Sequence, residues 1–296
     1  MKTSCAGLGA ATALAMALML AAPGEAAARP TSAASAPEKA QAAVTVNIVG
    51  GDLSGRERRD FDLLERAMRD LQARGYAGLD RHLPALRRAM ARAPKAYPYL
   101  EKRAANDWIV RTLDSAEGVV VAMMLQAGAQ AEGASGLTIR QQPNVYPLIA
   151  LMLGSEAVER RRLDEAIAVL DQGLALQPDD WALIKEKASA LQAAGRNEEA
   201  LAFATDALAM ESIRTALNAG PLHRSRGFSL IELNRLPEAR TAYEEALKLD
   251  SEDRSAKAQL AYIDGLEAGQ PPVRPVIVVP APGSRATGDP AKSEHP

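Results

Sequence analysis

Apolar residues recur along most of this chain at helical spacing. Phe61, Leu64, Met68 and Leu71 stand three or four positions apart, which places them on one face of a helix. Ser54-Gly55-Arg56-Glu57, just ahead of them, has the S-x-x-E spacing of a capping box and marks the helix start. Leu83, Leu86 and Met90 predict a second helix, stopped before Pro94. Leu100, Ala104, Trp108 and the run from Ile109 to Leu113 predict a third. Val119 to Leu125 predicts a fourth, apolar on most sides and therefore buried. Residues 130–146 are rich in Gly and Gln and read as a loop. Val44 to Val49 alternates like a strand, but no partner strand is evident, so it is assigned to an irregular lead-in.

Beyond residue 146 the pattern repeats. Gly154, Ala188 and Gly227 occupy one equivalent position; Ala166, Ala200 and Ala239 a second; Gly173, Ala207 and Ala246 a third. The first step is 34 positions at each place and the second is 39, which implies a five-residue insertion near Thr215 to Ala219. Each unit holds two short amphipathic helices, the signature of a helical-hairpin solenoid. The small residues mark where two antiparallel helices approach too closely for a larger side chain. Leu153, Leu191 and Leu230 line the first helices, while Leu170 and Tyr243 supply bulk from the second helices of the outer units. Ala204 takes that place in the middle unit, where looser packing is expected. Gly195 and Asn234 suit the left-handed turn within a hairpin. Asp180, in Pro178-Asp179-Asp180, is positioned to cap the helix that follows.

These residues resemble the tetratricopeptide repeat (TPR) family, with repeats at 147–180, 181–214 and 220–253. Residues 254–268 resemble the helix that closes such arrays, with Leu260, Ile263 and Leu266 turned inward. The sequence departs from the family pattern at Ser212 and Ser251, where Pro is usual, and at Lys187, where Leu is usual. From Pro143 onward the chain also resembles a group of secreted bacterial TPR proteins without an assigned function. Leu83 to Pro94 resembles the second helix of one further repeat, with Ala89 and Pro94 in matching places, although the helix before it fits poorly. The fold expected is all-α: three repeats and a capping helix, preceded by an N-terminal helical region at 55–129.

The resemblance implies a concave groove lined by the first helix of each pair. The corresponding residues are Leu151, Ser155 and Val158; Lys185, Ser189 and Gln192; and Arg224, Phe228 and Ile231. Each set spans one helix face. It implies a protein or peptide as partner. The subgroup that clamps a terminal carboxylate carries Lys and Asn at places where Leu151 and Ser155 stand here, so that specificity is not implied. The plain alternative is that these residues only solvate a surface.

Composition narrows the reading further. Only 4% of the residues are aromatic against 47% hydrophobic, a balance set by Ala and Leu that favours helix. A net charge of -2 gives no general attraction to nucleic acid or anionic lipid. The charge is unevenly placed. From Asp52 to Arg111 there are 14 Lys/Arg against 9 Asp/Glu, a balance of +5; from Pro147 to Ala268 there are 14 against 21, a balance of -7. Two faces of opposite sign would allow a homo-oligomer, a structural alternative to a partner-binding scaffold.

The chain starts with Lys2, an uncharged run from Leu8 to Ala22 and the small residues Ala26-Ala27-Ala28. This is the pattern of a signal peptide, 1–28, cleaved near Arg29, and the run is too short to span a bilayer. Residues 29–54 read as a flexible lead-in. The expected location is therefore exported, periplasmic or secreted, with no stable membrane anchor after cleavage. Cys5, the only cysteine, falls in this leader, so the mature chain would hold no disulfide or thiolate. His82 and His223 lack metal-ligand spacing, and Gly50-Gly51 with Gly55 lacks the G-K-[ST] ending of a phosphate loop. No catalytic residue, cofactor or metal is expected. From 269 the chain is Pro-rich, and the apolar run Val276 to Val279 is a candidate for docking in a groove.

Overall fold

The computed structural model describes residues 44–112 and 115–272. The leader, its cleavage site, Cys5 and Val276 to Val279 lie outside the described residues. In chain order the elements are β1 (Thr45–Gly50), α1 (Gly55–Arg74), a 3-10 turn (Gly75–Leu79), α2 (Leu83–Ala91), β2 (Leu100–Ala104), β3 (Asp107–Arg111), α3 (Ser115–Ala131), β4 (Gly136–Gln142), α4 (Val145–Glu159), α5 (Leu163–Leu176), α6 (Trp181–Ala193), α7 (Asn197–Leu208), α8 (Ile213–Ala216), α9 (Ala219–Glu232), α10 (Leu236–Leu249) and α11 (Arg254–Glu267).

The helices α4–α5, α6–α7 and α9–α10 are the three hairpins expected from the repeat, and α11 closes the stack. The small positions do what the repeat implied. A Cβ added at Gly154 would meet Leu170 Cδ2 at 2.6 Å, one at Gly173 would meet Ala150 Cβ at 2.7 Å, and one at Gly227 would meet the Tyr243 ring at 2.5 Å. Ala166, Ala188, Ala200, Ala207, Ala239 and Ala246 are all buried. The hairpin turns pass through left-handed backbone at Gly195 (φ 71°) and Asn234 (φ 58°), as expected, and at Arg161 (φ 58°) in the first repeat. Arg161 has no glycine-like freedom, so the first turn is held in this shape by the helices on either side. Asp180 and Asp253 cap α6 and α11 by accepting from Leu183 N and Ala256 N.

The N-terminal region differs from the expectation. The third helix and the Gly/Gln-rich loop are strands, and so is the stretch assigned to the lead-in. They form one four-stranded sheet in the order β1-β4-β3-β2. β1 and β3 both pair with β4 in parallel, from Thr45 opposite Gly136 and from Asp107 opposite Thr138, and β2 pairs with β3 antiparallel. Trp108, Val110, Leu137, Ile139 and Val46 point to one side of the sheet. There they pack with Val121, Ala122, Leu125 and Ala129 of α3, so β3-α3-β4 is a crossover unit with its helix on that face. Helix α3 itself is as predicted, but it is not buried on most sides: Val119, Val120, Met123 and Met124 are exposed.

α1 and α2 form a hairpin whose turn is tightened by Gly78, where any Cβ would fall 2.2 Å from Asp70 O. α2 packs on α4 in the same way that α5 packs on α6, α7 on α9 and α10 on α11. The pair therefore leads the stack in the position of a preceding repeat. Its contact with α4 is the ordinary apolar one, Leu86, Ala89 and Met90 joining Ile149 and Leu153 in the main core.

The five-residue insertion starts within α8. Arg214 of α8, the last residue of the second repeat, lies 4.3 Å above the Tyr99 ring and donates to Asp179 Oδ1 at 3.2 Å and Asp180 Oδ2 at 3.0 Å. Beside it, Asn144 and Gln177 exchange hydrogen bonds of 3.0 and 2.8 Å, and Gln177 also donates to Tyr97 O. All of these join the sheet end of the molecule to the first two repeats.

Candidate functional site

The concave side of the second and third repeats encloses an open cavity of about 480 Å³. α6 contributes Trp181, Lys185, Ala188, Ser189 and Gln192, and α9 contributes Leu222, Arg224, Ser225 and Phe228. Tyr243 closes its floor, and Ser255 and Gln259 line it from α11. Five of the nine residues predicted for the groove meet here: Lys185, Ser189, Gln192, Arg224 and Phe228. Ile231 turns away to pack in the C-terminal core. Leu151 and Val158 on α4 pack against the main core, and Ser155 of the same helix does not reach the cavity.

Gln192 is fixed by three contacts: its Nε2 donates to Ser225 O and Ser225 Oγ at 3.0 Å each and to Ser229 Oγ at 3.1 Å. This network ties α6 to α9 and sets the width of the groove. It also buries Ser229 completely. Arg224 is not a free cation. It is ion-paired with Asp253, the cap of α11. Burial opposes ionisation of Asp253, but the Ala256 N–H and Arg224 outweigh it and hold the carboxyl below its ordinary value. Lys185, by contrast, is exposed and has no charged partner among the described residues. Ser189 spends its hydroxyl on Lys185 O at 3.0 Å. Burial pushes the Tyr243 phenol well up, so it stays protonated under any ordinary condition. The cavity thus offers aromatic and aliphatic surface from Trp181, Phe228 and Tyr243, amide and hydroxyl groups, and one unpaired positive charge.

The sequence reading missed Trp181, Ser225, Ser255 and Gln259. Trp181 stands one turn before Lys185 and Ser225 one turn before Phe228, so helical spacing from the predicted residues already pointed to both. Ser255 and Gln259 belong to the closing helix, which was read only for its inward face. Lys187, unusual for its place in the repeat, puts its ammonium 4.3 Å above the Phe203 ring and pairs with Asp171 at 2.5 Å; it replaces an apolar contact with a cation–π one.

Neither His82 nor His223 lines this groove, although His223 stands between Leu222 and Arg224 on α9. His82 bonds Asp70 Oδ2 at 2.5 Å. His223 sits in the second turn of α9, with its pKa lowered by burial and then by Arg226. No group of three or more His, Cys, Asp or Glu side chains able to hold a metal occurs among the described residues. No described helix is long and apolar enough to cross a membrane.

Three stacked hairpins with a 34-position repeat, small residues at each close approach and left-handed turns form one pattern. The family model for the tetratricopeptide repeat matches residues 221–253, the third hairpin. The chain thus carries a match to the tetratricopeptide repeat in its third hairpin. Similar solved structures are TPR proteins. The first TPR domain of human RPAP3 is 24% identical, with a TM-score of 0.36 over 42% of this chain and 93% of that one. The Arabidopsis OM64 TPR domain is 17% identical, with a TM-score of 0.36 over 40% and 95%. A thermophilic TPR protein of Thermus thermophilus is 17% identical, with a TM-score of 0.32 over 69% and 98%. Among curated proteins, none matches.

Proposed function

We propose that this protein is an exported TPR scaffold that holds a segment of a partner protein in the groove between α6, α9 and α11. The observation that carries the reading is the lining of that groove. Trp181 and Phe228 are half-exposed aromatic side chains on the concave face, where desolvating them against a partner yields most of the available free energy. Lys185 stands beside them without a charged partner, which favours an acidic residue next to an apolar anchor. The leader pattern at 1–28 supports placement in the cell envelope.

Binding is tested by capture from envelope extract with Phe228→Ala and Lys185→Glu. Phe228→Ala is expected to weaken capture by roughly tenfold or more, as central aromatic anchors do, and Lys185→Glu by a smaller, salt-dependent factor. Helix content by circular dichroism should match the parent for both. Arg224→Ala is a poor probe of binding, because it also frees the Asp253 cap. Retention of every partner by both variants would place the binding face elsewhere. Export is tested by sequencing the N-terminus of the native protein. A start near Arg29 is expected, and an intact Met1 on envelope material would exclude cleavage.

A further inference from the structure

The two edges of the sheet are built differently. β2, at one edge, carries Glu101, Lys102 and Arg103, and its pairing with β3 shifts register between Lys102 and Ala104. Charge and irregularity of this kind keep an edge from pairing with another chain. β1, at the other edge, has the sequence Thr-Val-Asn-Ile-Val-Gly, with no charge and no irregularity in its six-residue pairing with β4. Ile48 is 44% and Val49 40% exposed.

The exposed face of α3 adjoins this same edge. Gln126 of α3 donates to Val44 O at 3.0 Å, at the start of β1. Ile48 lies four residues on, about 13 Å along a strand, which equals about nine residues of helix. Because α3 runs against the strands, that distance leads back from Gln126 to the level of Glu117, so Val119 and Met123 lie alongside β1. Val119, Val120, Met123 and Met124 are 40%, 51%, 63% and 46% exposed. No charged residue occurs between Glu117 and Glu132. On the β1 flank, Ile48, Val119, Val120 and Met123 together expose on the order of 300 Å² of apolar surface, within the size of the largest patch on a typical monomer; Val49 points to the other face of the sheet, and Met124 to the β2 flank beside Tyr99 and Leu100.

We propose that a second copy of this chain covers this edge, through antiparallel pairing of β1 with β1 of the partner copy about a two-fold axis. The register follows from the hydrogen bonds within one copy. Thr45 N and Gly51 N both donate inward, to Ser135 O and Gln141 O. Odd-numbered residues therefore face β4, and Val46, Ile48 and Gly50 direct their backbone groups outward. A two-fold axis at Ile48 pairs it with its own copy and Val46 with Gly50, and joins two four-stranded sheets into one of eight. Helix α3 seats over β4 and β1. With strands about 4.8 Å apart, it stands roughly 5 Å from such an axis. The two copies of α3 then run about 10 Å apart, the spacing of directly packed helices. An edge with no charge has no complement of opposite sign to select. The flanking Glu117 and Glu132 make an anionic membrane a poor occupant, since interfacial helices rely on Lys and Arg.

The full chain is examined by sedimentation and by cysteine crosslinking in a Cys5→Ser background. The parent is expected to sediment at twice its chain mass at micromolar concentration and to remain so at high salt, which would dissolve an association of its oppositely charged halves. Ile48→Cys should form a disulfide-linked dimer under mild oxidation, since directly hydrogen-bonded antiparallel residues stand about 5.5 Å apart at Cα, within disulfide reach. Lys102→Cys on the opposite edge should not. Ile48→Pro removes an N–H that β4 does not use, and Met123→Lys charges the helix face; each should raise the dimer dissociation constant at least tenfold with an unchanged circular dichroism spectrum. A monomeric parent would overturn the proposal, as would a dimer that Ile48→Cys fails to link or that survives both variants, whatever other protein the edge then captures.

Discussion

Gly227 and Ser229 show how much depends on a single atom at one position. Gly227 has no room for a Cβ beside Tyr243, so Gly227→Leu forces the helices apart and should cost about 1–3 kcal/mol. Ser229, two residues along, is fully buried and accepts from Gln192. Ser229→Leu should therefore destabilise by a similar amount, about 1–3 kcal/mol, and should leave Gln192 held by Ser225 alone. Denaturant melts of both variants, with Ser189→Leu as the exposed control on α6, give the comparison. A tolerated Ser229→Leu would mean that the α6–α9 contact is looser than described. The reason the sequence does not reveal this burial is physical. α9 lies between α6, α7, α10 and α11, so more than one of its faces is covered, and its apolar periodicity is correspondingly weak.

Among the elements, the α1–α2 hairpin depends on Asp70. His82 first, and then Arg81, hold its carboxyl down at about 2. A carboxylate with a folded-state pKa below its unfolded value, near 3.9, contributes stability above that value and loses it as the pH falls toward 2. Thermal melts across that acid range should show the parent losing more stability than Asp70→Asn, which has no such proton to bind. Equal slopes would assign the acid sensitivity to other carboxylates. The contrast between elements also explains what the sequence made legible. The hairpins of the array were readable because each buries its face against neighbours within about one repeat, and the chain restates that arrangement three times. The strands were not. β1 and β3 pair with β4, which the Gly- and Gln-rich composition of 130–146 concealed, and five-residue strands such as β2 and β3 are too short to separate period two from period three and a half. About half of the groove set was legible for the same reason: repeat spacing located the faces of α6 and α9. It could not show that α4 is occupied by the main core, or that Arg224 is already engaged by Asp253.

For the molecule as a whole, the insertion between the second and third repeats serves as a joint. Helix α8, which leads into it, delivers Arg214 to Asp179, Asp180 and the Tyr99 ring, linking the sheet to the stack. Arg214→Ala leaves two acidic side chains without their partner and should destabilise by about 1–3 kcal/mol. Hydrogen exchange is expected to rise in α8 and β2 while α9 to α11 stay protected. Uniform loss of protection would mean that the whole chain opens as one unit. The long-range pairing within the sheet has a consequence of a different kind, in time. Thr45 lies opposite Gly136, 91 positions later, whereas each repeat finds its contacts nearby. Closing so long a loop is slow compared with forming local helical hairpins. A chain emerging one residue at a time must carry β1 unsatisfied until β4 has followed it out, so the first strand to be made is among the last to find its place.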